Sequence, residues 1–64
     1  MTTPKVGVRL LHDRDEAADL LSVSERTLDR LIADGLIEAV NIGRRRLVPH
    51  ASLEAYIENL RRSA

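Results

Sequence analysis

Three consecutive arginines, Arg44, Arg45 and Arg46, follow Gly43, and upstream Arg26 and Arg30 stand one helical turn apart with Ser24, Glu25 and Thr27 beside them. A guanidinium presents a planar fork of donors that suits phosphate oxygens and the O6/N7 edge of guanine. Arg26 and Arg30 are therefore read as base or phosphate contacts, against the alternative of ion pairs to Asp29 and Asp34 at helical spacing. The hydroxyls of Ser24 and Thr27 can reach phosphate, although helix capping alone accounts for Ser24. Glu25 can accept from a cytosine amino group. A carboxylate in a first helical turn is also what the helix dipole favours, and that reading is preferred. Adjacent arginines on a strand repel one another, and a phosphate supplies the missing counter-charge. Arg44 and Arg45 are expected at a hairpin tip, entering or flanking a minor groove, with Arg46 gripping the backbone.

The elements that position these residues follow from spacing. Residues 1–9 read as a tail or short strand, because Val6, Val8 and Leu10 alternate with Gly7 and Arg9. Residues 10–62 read as one domain. Asp13 with Glu16 three residues later forms a capping box, and Ala17, Ala18, Leu20 and Leu21 supply a helix from about 14 to 21. Ser22-Val23-Ser24 breaks it: Ser24 caps a second helix and Val23 plugs the elbow. Leu28, Leu31 and Ile32, continuing to Leu36, make the core face of that helix, and Asp34-Gly35 stops it. Its opposite face is centred on Arg26, Arg30 and Ala33, with Asp29 at the flank.

Val40 and Ile42, then Leu47-Val48 beyond Gly43-Arg44, form a hairpin with glycine first in a two-residue turn, and Pro49 ends it. Leu53, Tyr56, Ile57 and Leu60 then form a stripe closing the core from about 51 to 61. His50 is read as a helix-starting residue and Tyr56 as core, with Arg61 and Arg62 suited to a helix C-terminus. The predicted fold is mostly α with a small β-hairpin, a winged helix-turn-helix.

Size and composition limit the chemistry. A chain of 64 residues is one domain, and a domain this small buries only about 60% of its unfolded surface. There is no cysteine, so no disulfide framework or thiolate zinc site. No nucleophile–base pair, metal cluster or glycine-rich phosphate loop is present, and neither catalysis nor a cofactor, metal or small-molecule substrate is expected. Ten basic and ten acidic residues give zero net charge, which counts against a nucleic-acid binder. The charges segregate, however: Asp13, Asp15, Glu16 and Asp19 crowd the first helix while the arginines block together, and a neutral molecule can carry a positive face. Tyr56 is the sole aromatic, which disfavours stacking on single strands and leaves duplex DNA. The start lacks a secretory signal and no stretch approaches the roughly 20 apolar residues of a membrane span, so a cytoplasmic protein without membrane contact is expected.

Glu16-Ala17-Ala18-Asp19-Leu20-Leu21-Ser22-Val23-Ser24, Leu28-Asp29-Arg30-Leu31-Ile32, Ile42-Gly43-Arg44-Arg45-Arg46 and Pro49 with Leu53-Glu54-Ala55-Tyr56-Ile57 resemble the excisionase family of small winged-helix proteins, related in fold to the MerR-type DNA-binding domain. The resemblance spans roughly residues 10 to 60. It implies a phage excisionase, or recombination directionality factor, of the type found in temperate phages of actinobacteria. Such a protein binds repeated sites in an attachment-site arm, bends the duplex near the host nucleoid, and assists a tyrosine integrase in excision while discouraging integration. Ser22 stands where many relatives carry glycine, and Arg46 where some carry an aromatic. Tandem sites imply copies meeting head to tail, with the acidic surface near Asp15 and Asp19 against a basic surface of the next. The alternatives are a small MerR-like transcriptional regulator, and a protein-interaction module whose arginine tip grips an acidic partner.

Overall fold

The computed structural model describes residues 9–63. Strand β1 (Leu11–His12) leads into helix α1 (Arg14–Leu21), followed by α2 (Glu25–Ala33), strands β2 (Val40–Ile42) and β3 (Arg45–Pro49), and helix α3 (His50–Ser63). β3 is the centre of an antiparallel sheet in the order β1-β3-β2, with Leu11 opposite Pro49, His12 opposite Val48, and Ile42 opposite Arg45. The architecture is the mostly helical, winged arrangement expected, with one strand more than the hairpin alone. Of the strand proposed at Val6–Leu10, Val6 and Val8 lie outside the described residues. Leu10 is 79% exposed and precedes the observed strand, its carbonyl accepting from the His50 N–H at 2.8 Å.

The core is Ala17 and Ala18 of α1, Leu28 of α2, Ile37 from the following turn, Val48 of β3 and Leu53 of α3, flanked by half-buried Leu21, Val23, Leu31, Ile32, Ala39 and Tyr56. Two alanines on the inner face of α1 let α2 approach closely, and Val23 plugs the elbow as its apolar character predicts. The core face of α2 does not continue to Leu36, which is 55% exposed; Ile37 is buried instead. Gly35, at φ +79, turns the chain out of the helix, and the N–H groups of Leu36 and Ile37 both donate to the Leu31 carbonyl. The helical period is lost there, and the next inward position falls one residue later.

The stripe on α3 closes the core only over its first turns. Leu53 and Tyr56 pack inward, whereas Ile57 and Leu60 are about half exposed. At 14 residues α3 is roughly 21 Å long, against about 12 Å for α1, so its far end runs past the body it packs on. The helix starts at His50 and ends at Ser63, beyond both expected limits.

The two histidines, distant in sequence, meet across β1 and α3. His12 is buried, and its Nε2 lies 2.8 Å from His50 Nδ1. His12 Nδ1 has no well-aligned hydrogen bond, with Glu16 Oε1 nearest at 3.3 Å. This contact and the backbone bond from His50 to Leu10 pin β1 to the start of α3.

Leu28 is fully buried in the core cluster, and a domain of this size has only about 3–5 kcal/mol of stability to lose. Leu28→Ala should cost about 2–5 kcal/mol and leave much of the chain unfolded at 37 °C, as read by urea denaturation followed by circular dichroism. A loss below about 1 kcal/mol would place the core elsewhere.

Candidate nucleic-acid interface

The elbow between α1 and α2 is a left-handed helix stop. Ser22 has φ 61 and ψ 39, its N–H donates to the Asp19 carbonyl, and the Val23 N–H reaches back to Ala18, both at 3.0 Å. This double return closes α1 as a Schellman-type cap, with serine in the conformation that glycine adopts without strain. Ser24 then caps α2. Its Oγ accepts from the Thr27 N–H at 3.1 Å and donates to Thr27 Oγ1 at 3.0 Å, so the two hydroxyls hold each other at the first turn. The capping box expected on α1 is not formed: Asp13 occupies the N-cap position, but no N–H is capped by its carboxylate. That carboxylate instead accepts from Arg45 Nη2, because β1 running beside β3 brings Asp13 diagonally across from Arg45.

With Leu28 inward, Glu25, Arg26, Thr27, Asp29, Arg30 and Ala33 are exposed on α2. The local pairings of Arg26 with Asp29 and of Arg30 with Asp34 do not occur. Asp29 is taken by Arg14, a residue that sequence spacing does not single out. Arg14 Nε and Nη2 donate to the two oxygens of Asp29 at 2.8 and 2.7 Å, and Nη1 donates to Glu25 Oε1 at 2.6 Å. Its partners lie 11 and 15 residues away, so no helical period announces them. The one available signal was negative: a cation at the first residue of a helix opposes the dipole and needs a tertiary partner. The Arg14 bond, opposed by desolvation and aided by the charges of Arg14 and Arg46, holds the Asp29 carboxyl below its ordinary 3.8. Arg14 is correspondingly raised, chiefly by the same bond.

In the wing, the Ile42–Arg45 pairing leaves Gly43-Arg44 as the turn. Gly43 has φ +61 while Arg44 keeps an ordinary negative φ, the type II′ pattern that matches strand twist. Arg44, Arg45 and Arg46 are all exposed. Their environments differ: Arg45 is tied to Asp13, Arg46 lies within electrostatic reach of Asp29 on α2, and Arg44 stands at the tip. Among the described residues, the ion pairs account for Arg9, Arg14, Arg45 and the two histidines, leaving Arg26, Arg30, Arg44 and Arg46, together with Arg61 and Arg62 at the end of α3, with no carboxylate within 4.0 Å. The described residues enclose no pocket.

A capped elbow between two short helices, an exposed face on the second helix and an arginine-tipped hairpin define a winged helix-turn-helix domain. The chain belongs to the helix-turn-helix domain family, whose model matches residues 13–61, and this family includes excisionase-like DNA-binding proteins. Membership implies sequence-specific DNA binding. No curated protein and no solved structure matches the chain. No helix among the described residues is long and apolar enough to cross a membrane.

Because the Asp29 carboxyl sits lower in the fold than in the unfolded chain, its contribution to stability is present above 3.8 and is lost as pH falls through the lowered folded value. Carboxyl-detected NMR titration should find the Asp29 midpoint below 3.8 in the native chain and shifted upward in Arg14→Gln. An unchanged midpoint in the variant would remove Arg14 as the cause.

Proposed function

We propose that this chain binds and bends attachment-site duplex DNA to promote integrase-mediated prophage excision and disfavour integration. The observation that carries the DNA-binding part is the distribution of unpaired cations: of the six arginines without a carboxylate partner among the described residues, four stand on the outer face of α2 (Arg26, Arg30) and on the wing (Arg44, Arg46), and the other two end α3. The resemblance of Gly43-Arg44-Arg45-Arg46 and the α1–α2 sequence to excisionases supports the recombination part.

In this reading α2 enters the major groove, which admits a helix, and Arg26 and Arg30 donate to guanine edges. Ser24 and Thr27, at the amino end of α2, contact phosphate and set the register. Glu25 flanks them at the helix start, held by Arg14. The wing lies along the adjacent backbone or minor groove, with Gly43 permitting the tight turn, Arg44 leading and Arg46 gripping. Arg45 exchanges Asp13 for phosphate or stays as the strut of the wing. So small a footprint binds modestly alone, and copies on tandem sites gain affinity from neighbour contacts, Asp15 and Asp19 of one meeting a basic surface of the next. The further partner is a tyrosine integrase.

A labelled attachment-site arm should outcompete random duplex in gel shifts, and circular permutation of the site should report a bend. Excision by the integrase should rise when the chain is added. Binding to promoters with no effect on excision would favour a transcriptional regulator, and equal binding to all duplexes an interaction module. Arg44→Ala with Arg46→Ala should weaken binding across sequences and reduce the slope of log K against log salt by about 0.9 for each phosphate no longer neutralised. Arg26→Ala or Arg30→Ala should relax preference at particular base pairs by about 1–3 kcal/mol. Unchanged base preference in both helix variants would move the reader off α2.

A further inference from the structure

Glu25 and Asp29 stand one turn apart on the same flank of α2, where Arg14 of α1 meets both, and Arg46 lies within electrostatic reach of Asp29. Both carboxylates are about half exposed. Such a pair is out of place beside a duplex, which carries one negative charge per roughly 1.7 Å of axis. Arg14 answers both. It commits three donors to them, a two-bond fork to Asp29 and a single bond to Glu25, from a helix position where its own charge is otherwise unfavourable. Two carboxylates and one guanidinium sum to −1, and neighbouring Arg46 brings the group to zero. Without Arg14, Arg46 would lie within reach of an unbalanced Asp29 carboxylate and be drawn to it instead of to phosphate.

Resting on the DNA-binding reading above, we propose that Arg14 is a positioning residue of the interface. It holds the Glu25 and Asp29 carboxylates against α1, cancels their repulsion of the DNA backbone, and leaves Arg46 free to bind phosphate. Arg14 itself need not touch the duplex. This separates it from Arg26, Arg30 and Arg44, whose removal takes away an attraction, whereas removal of Arg14 uncovers a repulsion.

The test uses a duplex enriched from a random-sequence pool by the wild-type chain, with binding measured at several salt concentrations and thermal melts run alongside. Arg14→Gln should bind about tenfold more weakly at low salt, with the deficit shrinking as salt screens the exposed carboxylates. The triple variant Arg14→Gln, Glu25→Gln, Asp29→Asn should return to within about threefold of wild type, since the charges to be cancelled are gone. A purely structural role for Arg14, or a direct phosphate contact, predicts instead that the triple variant stays as weak as the single, and that result would overturn the proposal. Should the single variant melt early, Glu25→Gln with Asp29→Asn on the intact Arg14 background decides: it should bind at least as tightly as wild type, and weaker binding overturns the role. A wild-type chain that enriches no duplex overturns the DNA-binding reading and this role together. Wild-type binding matched by Arg14→Gln overturns the role alone.

Discussion

The complete burial of Leu28 is the constraint on which the rest of this molecule depends. One side chain pinned at the centre of the core fixes the rotation of α2 about its axis. Residues two positions away on either side, Arg26 and Arg30, then lie about 200° round the helix and must face solvent. The same rotation turns Glu25 and Asp29 to the flank, where Arg14 of α1 meets them. A reader face thus follows from a packing requirement. The elbow serves the same end, because Ser22 accepts a left-handed backbone so that two short helices can bury alanines and leucine against each other within three linking residues.

What could be read in the sequence was what local spacing encodes. The bounds of α1, the Ser24 cap, the glycine-led wing turn and the stop at Gly35 each rest on residues within a turn of one another, and the fold carries all four. What could not be read was set by distance along the chain. Arg14 with its two carboxylates, Arg45 with Asp13 and His12 with His50 join elements whose relative placement only the folded chain defines. The absent capping box has the same origin: Asp13 has the right type and spacing to cap α1, but a guanidinium from β3 offers a charged donor in place of a neutral N–H. Leu36 and Ile37 illustrate a smaller failure, since a helical period extended past a glycine in the left-handed region assigns the wrong residue to the core.

The zero net charge, which weighed against nucleic-acid binding when counted over the whole chain, takes a different meaning once the charges are placed. Five of the acidic residues, Asp13, Glu16, Glu25, Asp29 and Glu54, are engaged by arginine or histidine, and the pairs involving Asp13, Glu25 and Asp29 lie at the base of the wing and on the flank of α2. Pairing there removes negative field from the surface a duplex would meet. Arg26, Arg30, Arg44 and Arg46 remain uncancelled on α2 and the wing although the total is neutral. A Debye length near 10 Å at about 0.1 M salt means that a backbone docked on this face would respond to nearby charges and much less to those farther away.

Neutrality also bears on discrimination. A uniformly basic domain of this size would bind any duplex through its backbone, and base contacts would add little contrast to a large common term. In the proposed docking the common term is limited to a few arginines on the wing and helix, so a bidentate contact from Arg26 or Arg30 would be a larger share of the total. The paired acids beside them penalise any docking pose that breaks their links to Arg14 and Arg45. Such a pose uncovers carboxylates against phosphate, whereas the register that leaves the pairs intact does not, and this asymmetry narrows the orientations available even where no base is read.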